Sequence, residues 1–378
     1  MAAASLVGMT DTIPDFFAVI PAGGIGSRLW PLSRAEAPKF LHDLTGSGVS
    51  LLRETWDRLL PLTGPERISV VTGVAHGPAV EKTLPDIPAV NVFHELDPRE
   101  SAAAIGLAAA VLHRRDPHVV IGSFAADHVI RRQRAFEFAV RQAVAVAREG
   151  FICTIGITPS EPSVGFGYIK TGEELDITDA PMASRVERFV EKPDLDTARQ
   201  YYADRSFLWN AGMFIARADV LLGELEANEP GLHAGLVEIA AAWDTDARDE
   251  VLGRVWPSLK KIAIDYAVAE PAAEKGRLAV VPGQFDWDDV GDFASLWNLV
   301  SNGRRHEMSI LGDNRGVLAD ESHGLVVSQT DRVIAVVGLD DVIVVDTADA
   351  LLVTTSAHAQ RVKSVVGALH ERGRDSVL

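Results

Sequence analysis

One cysteine in 378 residues, Cys153, leaves no partner for an internal disulfide and excludes a cysteine-rich zinc site. That fits a reducing, cytoplasmic compartment. Positive charge is also scarce, with 36 Lys and Arg against 53 Asp and Glu and a net charge of −17. A surface this acidic excludes nucleic acid as the main partner, because a phosphate backbone needs a basic face. Small phosphorylated ligands remain admissible, since a few well-placed cations suffice inside an acidic protein. Long apolar runs are missing too. The longest, residues 102–112, falls short of the ~20 residues that cross a bilayer, so no membrane partner is expected. Residues 1–14 contain no basic residue and do not read as a signal peptide. They read as a loose extension, within which Met9 is an alternative start. What is present, 47% hydrophobic and 24% charged residues, is the mix of a globular protein with one large core and a smaller appendage.

Strand-like runs at 16–21, 68–72, 90–94, 119–124 and 151–157 alternate with helix-like patterns at 51–60, 75–84, 102–114 and 134–148. This alternation predicts an α/β fold, a Rossmann-like, mostly parallel sheet covered on both faces; separate sheets in an α+β fold are the alternative. Further on, strands are expected at 185–191, 213–216 and 278–282, and helices at 195–203, 220–227, 232–243 and 293–300. From about residue 308 β-branched residues dominate, and Val327, Val333, Leu339, Val345 and Leu351 recur every six residues. That period predicts a parallel β-helix with these positions pointing inward. A valine-rich antiparallel meander would also accommodate the composition. Val362, Val365, Val366 and Leu369 form one stripe of a terminal helix, 357–372, expected to cap the coil. The domains are therefore read as 1–14, 15–305 and 306–378.

Chemistry concentrates just after the first strand, in Ala22-Gly23-Gly24-Ile25-Gly26-Ser27-Arg28-Leu29-Trp30-Pro31-Leu32-Ser33-Arg34, followed by Pro38-Lys39. In open α/β sheets ligands bind at this carboxyl edge. Three glycines let the backbone approach a phosphate and turn N–H groups toward it. A dinucleotide fingerprint would need a third glycine where Leu29 stands, which argues against a dehydrogenase, and a P-loop would need Gly-Lys-Ser/Thr. A glycine loop with Arg28 and Lys39 instead suits a triphosphate neutralised by two fixed cations. An ordinary surface ion pair is the competing explanation for Arg28. Asp127, just past the 119–124 strand, can hold a hard cation at the same edge or merely cap a turn.

The string resembles the signature G-G-x-G-x-R-L-W-P-L-S-R of the mannose-1-phosphate guanylyltransferases, within the sugar nucleotidyltransferase family. Further matches follow in the family's order: Ala126-Asp127-His128, Gly165-Phe166-Gly167-Tyr168-Ile169, Phe189-Val190-Glu191-Lys192-Pro193, Trp209-Asn210-Ala211-Gly212-Met213-Phe214 and Trp287-Asp288-Asp289-Val290-Gly291. They extend over residues 16–356. The resemblance implies a nucleotidyltransferase domain with a left-handed C-terminal β-helix, using Mg²⁺. It implies nucleotide binding by Ala22, Gly23, Gly24, Gly26, Ser27 and Arg28, and by Arg99 and Ser101 of the segment 95–101. Ser101 also reads as a helix N-cap. Catalytic roles fall to Arg28, Lys39 and Asp127. Asp127 and Asp289 become metal ligands, although Asp286, Asp288 and Asp292 lie close enough that spacing alone does not choose. Lys192 would grip the phosphate of the sugar 1-phosphate, Glu191 and Asn210 its hydroxyls, and Gly167 would let the loop close; turn or packing duty is the plain alternative for each. The family usually places glutamine after the lysine of its Pro-Lys motif, whereas Phe40 follows Lys39, which leaves the reach of Lys39 open. Many relatives continue into an isomerase domain; with Leu378 last, that activity is expected to be absent.

The implied reaction is attack by the phosphate of mannose 1-phosphate on the α-phosphorus of GTP. The nucleophile is already anionic, so no general base is required, and no Ser-His-Asp or Cys-His pair is recognisable. The obstacle is repulsion between polyanions, about 4 kcal/mol per unit-charge pair at 4 Å and an effective dielectric near 20. Two readings compete: the same chemistry with glucose 1-phosphate and dTTP or ATP, and a non-catalytic nucleotide-sugar-binding regulatory subunit. A homodimer or larger homo-oligomer is expected, because an exposed valine-rich coil end is a pairing liability.

Overall fold

A computed structural model describes residues 12–378, so most of the stretch read as an extension, residues 1–11, lies outside the described residues. Packed structure begins within that stretch. Ile13 is buried, and its N–H donates to the Leu62 carbonyl at 2.7 Å.

The first half follows the alternation read from the sequence. Strand β1 (Phe16–Ala22), helix α1 (Leu51–Thr63), β2 (Ile68–Gly73), α2 (Gly77–Thr83), β3 (Val92–Glu95), α3 (Glu100–Arg115) and β4 (Val120–Ser123) come in turn. A short strand β5 (Val129–Ile130), α4 (Gln133–Arg148) and β6 (Ile152–Ile157) follow. Then come β7 (Tyr168–Glu174), β8 (Ser184–Val190), α5 (Leu195–Ala203), β9 (Phe207–Arg217), α6 (Ala218–Asn228), α7 (Pro230–Ala242) and α8 (Arg248–Val255). The domain closes with α9 (Glu270–Glu274), β10 (Leu278–Gly283), a two-residue β11 (Trp287–Asp288) and α10 (Phe293–Ser301). Nine of these strands form one sheet in the order β3-β2-β1-β4-β9-β6-β10-β8-β7. Only β8 and β9 run against the others, so the sheet is mixed and mostly parallel.

Burial explains the element types. The central strand β1 is apolar on both faces because helices cover both. Helix α3 is apolar all round, lying between the sheet and the α6–α7 layer. Its Gly106 admits Leu236, whose Cδ1 would stand 2.6 Å from an added Cβ. Side-chain caps from Ser50, Asp194 and Asp292 start α1, α5 and α10. Strand β9 is much longer than the expected 213–216, because its first half also pairs with β7, itself unforeseen. Buried on both faces, it shows no period of two. The strand expected from residue 90 begins at Val92, because Pro88 leads into a 3₁₀ turn over Ala89–Asn91.

The tail forms β12 (Met308–Gly312), β13 (Val317–Asp320), β14 (Gly324–Ser328), β15 (Ile334–Val337), β16 (Val342–Asp346) and β17 (Leu351–Thr355), then helix α11 (Val362–Glu371). β12, β14 and β16 pair in parallel, as do β13 and β15, and β17 closes the edge antiparallel. This is a parallel β coil, but its inward positions differ from the six-residue series. Val327 and Val345 are register partners and buried, whereas Val333, Leu339 and Leu351 are 68%, 49% and 53% exposed. One winding takes three hexads, and only one in three lands on the sheet facing the core. The terminal helix lies against the coil, with Val362 in the same hydrophobic cluster as Leu325, Val327, Val345 and Leu352, and it reaches further than a cap. It packs against the 3₁₀ turn Ser27–Leu29, and Trp30 Nε1 donates to the Val377 carbonyl at 2.6 Å. Leu29, Trp30, Val290, Phe293, Val327, Val345 and Val362 share one hydrophobic cluster, so the coil and the glycine-loop segment have a common core. Among the described residues no helix is long and apolar enough to cross a membrane.

The orientation of the coil can be checked directly. Val345→Asp buries a charge and is expected to cost roughly 3 kcal/mol or more in urea unfolding. Val333→Asp, at a surface position of the same series, is expected to stay within about 0.5 kcal/mol.

Candidate active site

The glycine loop is wrapped around Lys39. Gly26 adopts φ 77°, and an added Cβ there would lie 2.7 Å from Lys39 Cβ, so only glycine fits. The Lys39 N–H donates to the Ile25 carbonyl at 3.1 Å, and Ser33 Oγ donates to the same oxygen. Ala22 is buried at the end of β1, while Gly24 and Arg28 face solvent. Arg28 makes no hydrogen bond or ion pair among the described residues, unlike an arginine held by surface ion pairing.

The Lys39 side chain is buried and extends across the sheet edge. Its Nζ lies 2.7 Å from Asp127 Oδ2 and also donates to the Asp289 carbonyl. Phe40, standing where the family usually has glutamine, is buried and does not hinder that reach. Asp127 and Asp289 meet because β5 and β11 form a two-stranded antiparallel ribbon, Trp287 opposite Ile130 and Asp288 opposite Val129. Burial works to raise the Asp127 pKa, but the Lys39 ammonium and His128 hold it below the ordinary value. Asp289 is pushed up by burial, with Lys39 opposing and Asp127 and Asp292 adding to the rise. Burial drives His128 down to about 4, and Trp287 Nε1 donates to its Nδ1 at 3.2 Å, so the ring is neutral.

The structure separates the four neighbouring aspartates. Asp286 is exposed and pairs with Arg132 at 3.2 Å. Asp288 accepts the Val290 N–H at 2.7 Å, and burial raises it to about 6. Asp292 caps α10 and accepts from Gln360. Asp289 lies beside Lys39 and Asp127: its backbone carbonyl accepts from Lys39, and its carboxylate feels the charges of both. Three non-glycine residues around the site take left-handed conformations, Glu100 (φ 65°), Lys192 (φ 45°) and Val290 (φ 44°). For a buried, β-branched valine this is a strained geometry of the kind that persists at functional sites.

Beside the carboxylates a cavity of about 150 Å³ is lined by Gly167, Glu191, Lys192, Asn210, Asp265 and Asp289, among others. Lys192 Nζ lies 2.7 Å from Glu191 Oε1, while the buried Glu191 Oε2 has no hydrogen-bond partner among the described residues. An added Cβ on Gly167 would meet that oxygen at 2.4 Å. Asn210 is already engaged: its Oδ1 accepts from Thr154 Oγ1 and the Gly212 N–H, and its Nδ2 donates to Asp265 Oδ1 at 2.9 Å. Asp265 escapes the sequence reading. It opens a single π turn, a feature with no sequence signature, and burial followed by the Glu191 charge raises it to about 6.

On the other side of the glycine loop lies a cavity of about 300 Å³, bordered by Gly23, Gly24, Glu95, Arg99 and Ser101. The Arg99 guanidinium is tied to the Leu259 carbonyl at 2.9 Å and to Asp97 at 3.0 Å. Ser101 is not the N-cap of α3. It sits in the first turn, where its Oγ accepts the Ile264 N–H, and Arg99 occupies the cap position. Glu95 opens the segment 95–101 without drawing a role from the sequence, although it ends a strand at the ligand edge.

Among the described residues no group of three or more His, Cys, Asp or Glu side chains is arranged to hold a metal ion. Asp127 and Asp289 still suit one class of ion. A hard octahedral cation takes one or two carboxylates and completes its shell from phosphate oxygens and water.

Residues 17–305 match the family model described as nucleotidyl transferase, and residues 315–369 the model described as MannoseP isomerase/GMP-like beta-helix domain. The chain is 36% identical to a mannose-1-phosphate guanylyltransferase of Salmonella muenchen, an alignment spanning 97% of this chain and 75% of that protein. It is 36% identical to the xanthan biosynthesis protein XanB of Xanthomonas campestris, with the same coverage. A crystal structure from Thermus thermophilus, described as a mannose-1-phosphate geranyltransferase, superposes with a TM-score of 0.83 at 30% identity. It covers 94% of this chain and 99% of its own.

The glycine loop offers a matched pair of variants. Gly26→Ala forces a side chain into a left-handed residue against Lys39 and is expected to cost roughly 1–3 kcal/mol in thermal unfolding. Gly24→Ala, where an added Cβ meets nothing within 4 Å, is expected to leave stability within about 0.5 kcal/mol.

Proposed function

The chain belongs to the nucleotidyl transferase family, and from that membership we propose that it transfers GMP from GTP to mannose 1-phosphate, releasing pyrophosphate. Similarity over nearly the whole of this chain, and about three quarters of their own length, to proteins named for this activity supports the assignment of substrates. The observation that carries the chemistry is the convergence of Lys39, Asp127 and Asp289, which are far apart in the chain, on one sheet edge.

The residues divide the work. The glycine loop from Gly23 to Ser27 presents backbone to the triphosphate, and Arg28, without a partner among the described residues, closes on its phosphates. Lys39 holds Asp127 and the Asp289 backbone in place and sets a positive charge beside the α-phosphate. Asp127 and Asp289 would bind Mg²⁺, which when present shields the approaching phosphates from each other. On the sugar side, Lys192 takes the 1-phosphate. The unpartnered Glu191 Oε2 accepts from a hexose hydroxyl that slides in over Gly167. Asn210 acts indirectly, by fixing Asp265 at the cavity wall. Holding both anions in line supplies the acceleration, since the nucleophile needs no deprotonation. Cytoplasmic localisation fits soluble nucleotide substrates.

Pyrophosphate release measured for four nucleoside triphosphates against mannose, glucose and N-acetylglucosamine 1-phosphates tests the assignment. GTP with mannose 1-phosphate is expected to be fastest, and another preferred pair would overturn it. Arg28→Ala is expected to lower kcat by roughly 100-fold or more while leaving mannose 1-phosphate binding nearly unchanged. Asp127→Asn and Asp289→Asn are each expected to abolish the dependence of turnover on Mg²⁺, with protein fold verified by circular dichroism.

A further inference from the structure

Arg28 and Arg34, two arginines of one glycine string, are used in opposite ways. Arg28 faces solvent, whereas every arm of the Arg34 guanidinium is engaged. Its Nε donates to the Pro31 carbonyl at 2.9 Å, and one terminal nitrogen donates to Asp349 Oδ2 at 2.7 Å. The other terminal nitrogen reaches Asp349 Oδ1 and, at 3.2 Å, Thr347 Oγ1. Asp349 and Thr347 belong to the turn between β16 and β17, with Asp349 lying 315 residues beyond Arg34 in the chain. We propose that this clasp lets the coil hold the glycine loop in the shape that receives a nucleoside triphosphate, which makes Asp349 a positioning residue for the transfer reaction. The identity of the ligand rests on the function proposed above.

A stretch rich in glycine keeps its shape poorly unaided, because glycine loses the most conformational freedom on ordering. Gly24 has nothing within 4 Å of where a side chain would begin, and Ile25 is 42% exposed, so packing does little to fix this stretch. Its order comes from the returning segment. Ser33 Oγ donates to the Ile25 carbonyl, and the Ser33 N–H donates to the Leu29 carbonyl at 3.0 Å. Arg34 is the next residue. A tight turn then leads to Lys39, closed by the Arg34 N–H to the Ala37 carbonyl at 2.9 Å and the Ala37 N–H to the Arg34 carbonyl at 3.1 Å. The coil thus grips the chain one residue from the hydroxyl that ties down the glycine loop. The gripping turn is itself firm, since Thr347 is buried and its N–H donates to the Ala350 carbonyl at 3.0 Å.

Stability alone does not account for the clasp. Leu29, Trp30 and Leu32 already share a buried core with the coil, which holds the two units together. The Asp349 side chain is 44% exposed, and an ion pair so open to water adds little to folding. What a bidentate pair supplies is direction, because a planar fork meeting a carboxylate through two parallel bonds fixes angle as well as distance. An ammonium in place of Arg34 has no fork, and no further arms for Pro31 and Thr347. Engaged on all sides, Arg34 is withdrawn from the phosphates and leaves Arg28 to meet them.

Two measurements on Asp349→Ala test the clasp. Trypsin cleavage after Arg28, followed by mass spectrometry on the unliganded protein, requires buried Leu29 to come free and so reads opening of the loop. It is expected to quicken by roughly tenfold or more. GTP affinity, read by titration calorimetry, is expected to fall by roughly 3- to 10-fold as the fraction of competent loop falls. The thermal midpoint is expected to stay within about 2 °C, since the shared core remains. Asp313→Ala, which removes the coil's Asp313–Arg315 pair instead, is expected to change neither reading. If Asp349→Ala does not fold, Asp349→Asn keeps the side-chain shape, drops the charge and takes its place with the same expectations. Unchanged cleavage after Arg28, faster cleavage with GTP affinity intact, or an equal loss in Asp313→Ala would overturn the proposal. An unaltered protein that binds no GTP would count against the proposed function, and cleavage after Arg28 would still decide whether the clasp holds the loop.

Discussion

A single buried ammonium organises this molecule. Lys39 is enclosed by the loop whose Gly26 has no side chain to exclude it, and its far end joins Asp127 to the backbone of Asp289. Those three contacts tie together segments following β1, β4 and β10. Without the positive charge, two partly buried carboxylates would face each other across a ribbon with nothing to offset their repulsion. Burial above all, and to a lesser degree the charges of Asp127 and Asp292, raise the pKa of Asp289 against the opposing Lys39. A site under such a bias is prepared for a further cation. It is also prepared for an incoming polyanion, through the uncommitted guanidinium of Arg28.

The sheet explains why so distant residues can meet. Strands β1, β3 and β4 run in one direction, so their carboxyl ends deliver the glycine loop, Glu95 and Asp127 to one edge. Reversed β9 then brings Asn210 to that edge from the opposite direction, beside the loop that carries Gly167. Two cavities result, one on each side of the glycine loop and the carboxylates. One is bordered by a carboxylate and apolar walls, the other by Lys192, Glu191 and Asp265. Their different chemistry allows two unlike ligands to approach with their phosphates converging between them.

Much of this could be read from the chain, because the glycine string keeps its chemistry in contiguous residues and Asp127 follows directly on a recognisable strand. What escaped depends on contacts between distant segments. Asn210 reads as a sugar ligand until Thr154, Gly212 and Asp265 are seen to occupy its amide. Choosing Asp289 from four aspartates needs the ribbon with β5. Ser101 resembles an N-cap in isolation, yet its hydroxyl serves Ile264, more than a hundred and fifty residues away. The six-residue valine series correctly signals a coil but not which members face inward, since pairing register decides that.

The common core beneath the glycine-loop segment gives the coil a role beyond support. Val290, next to Asp289, and Leu29, next to Arg28, are packed with Val327, Val345 and Val362. Neither structural unit can loosen without exposing apolar surface of the other, so the two are thermodynamically one body. A ligand that favours the ordered loop must therefore protect the coil's backbone amides from solvent exchange as well, although it touches none of them.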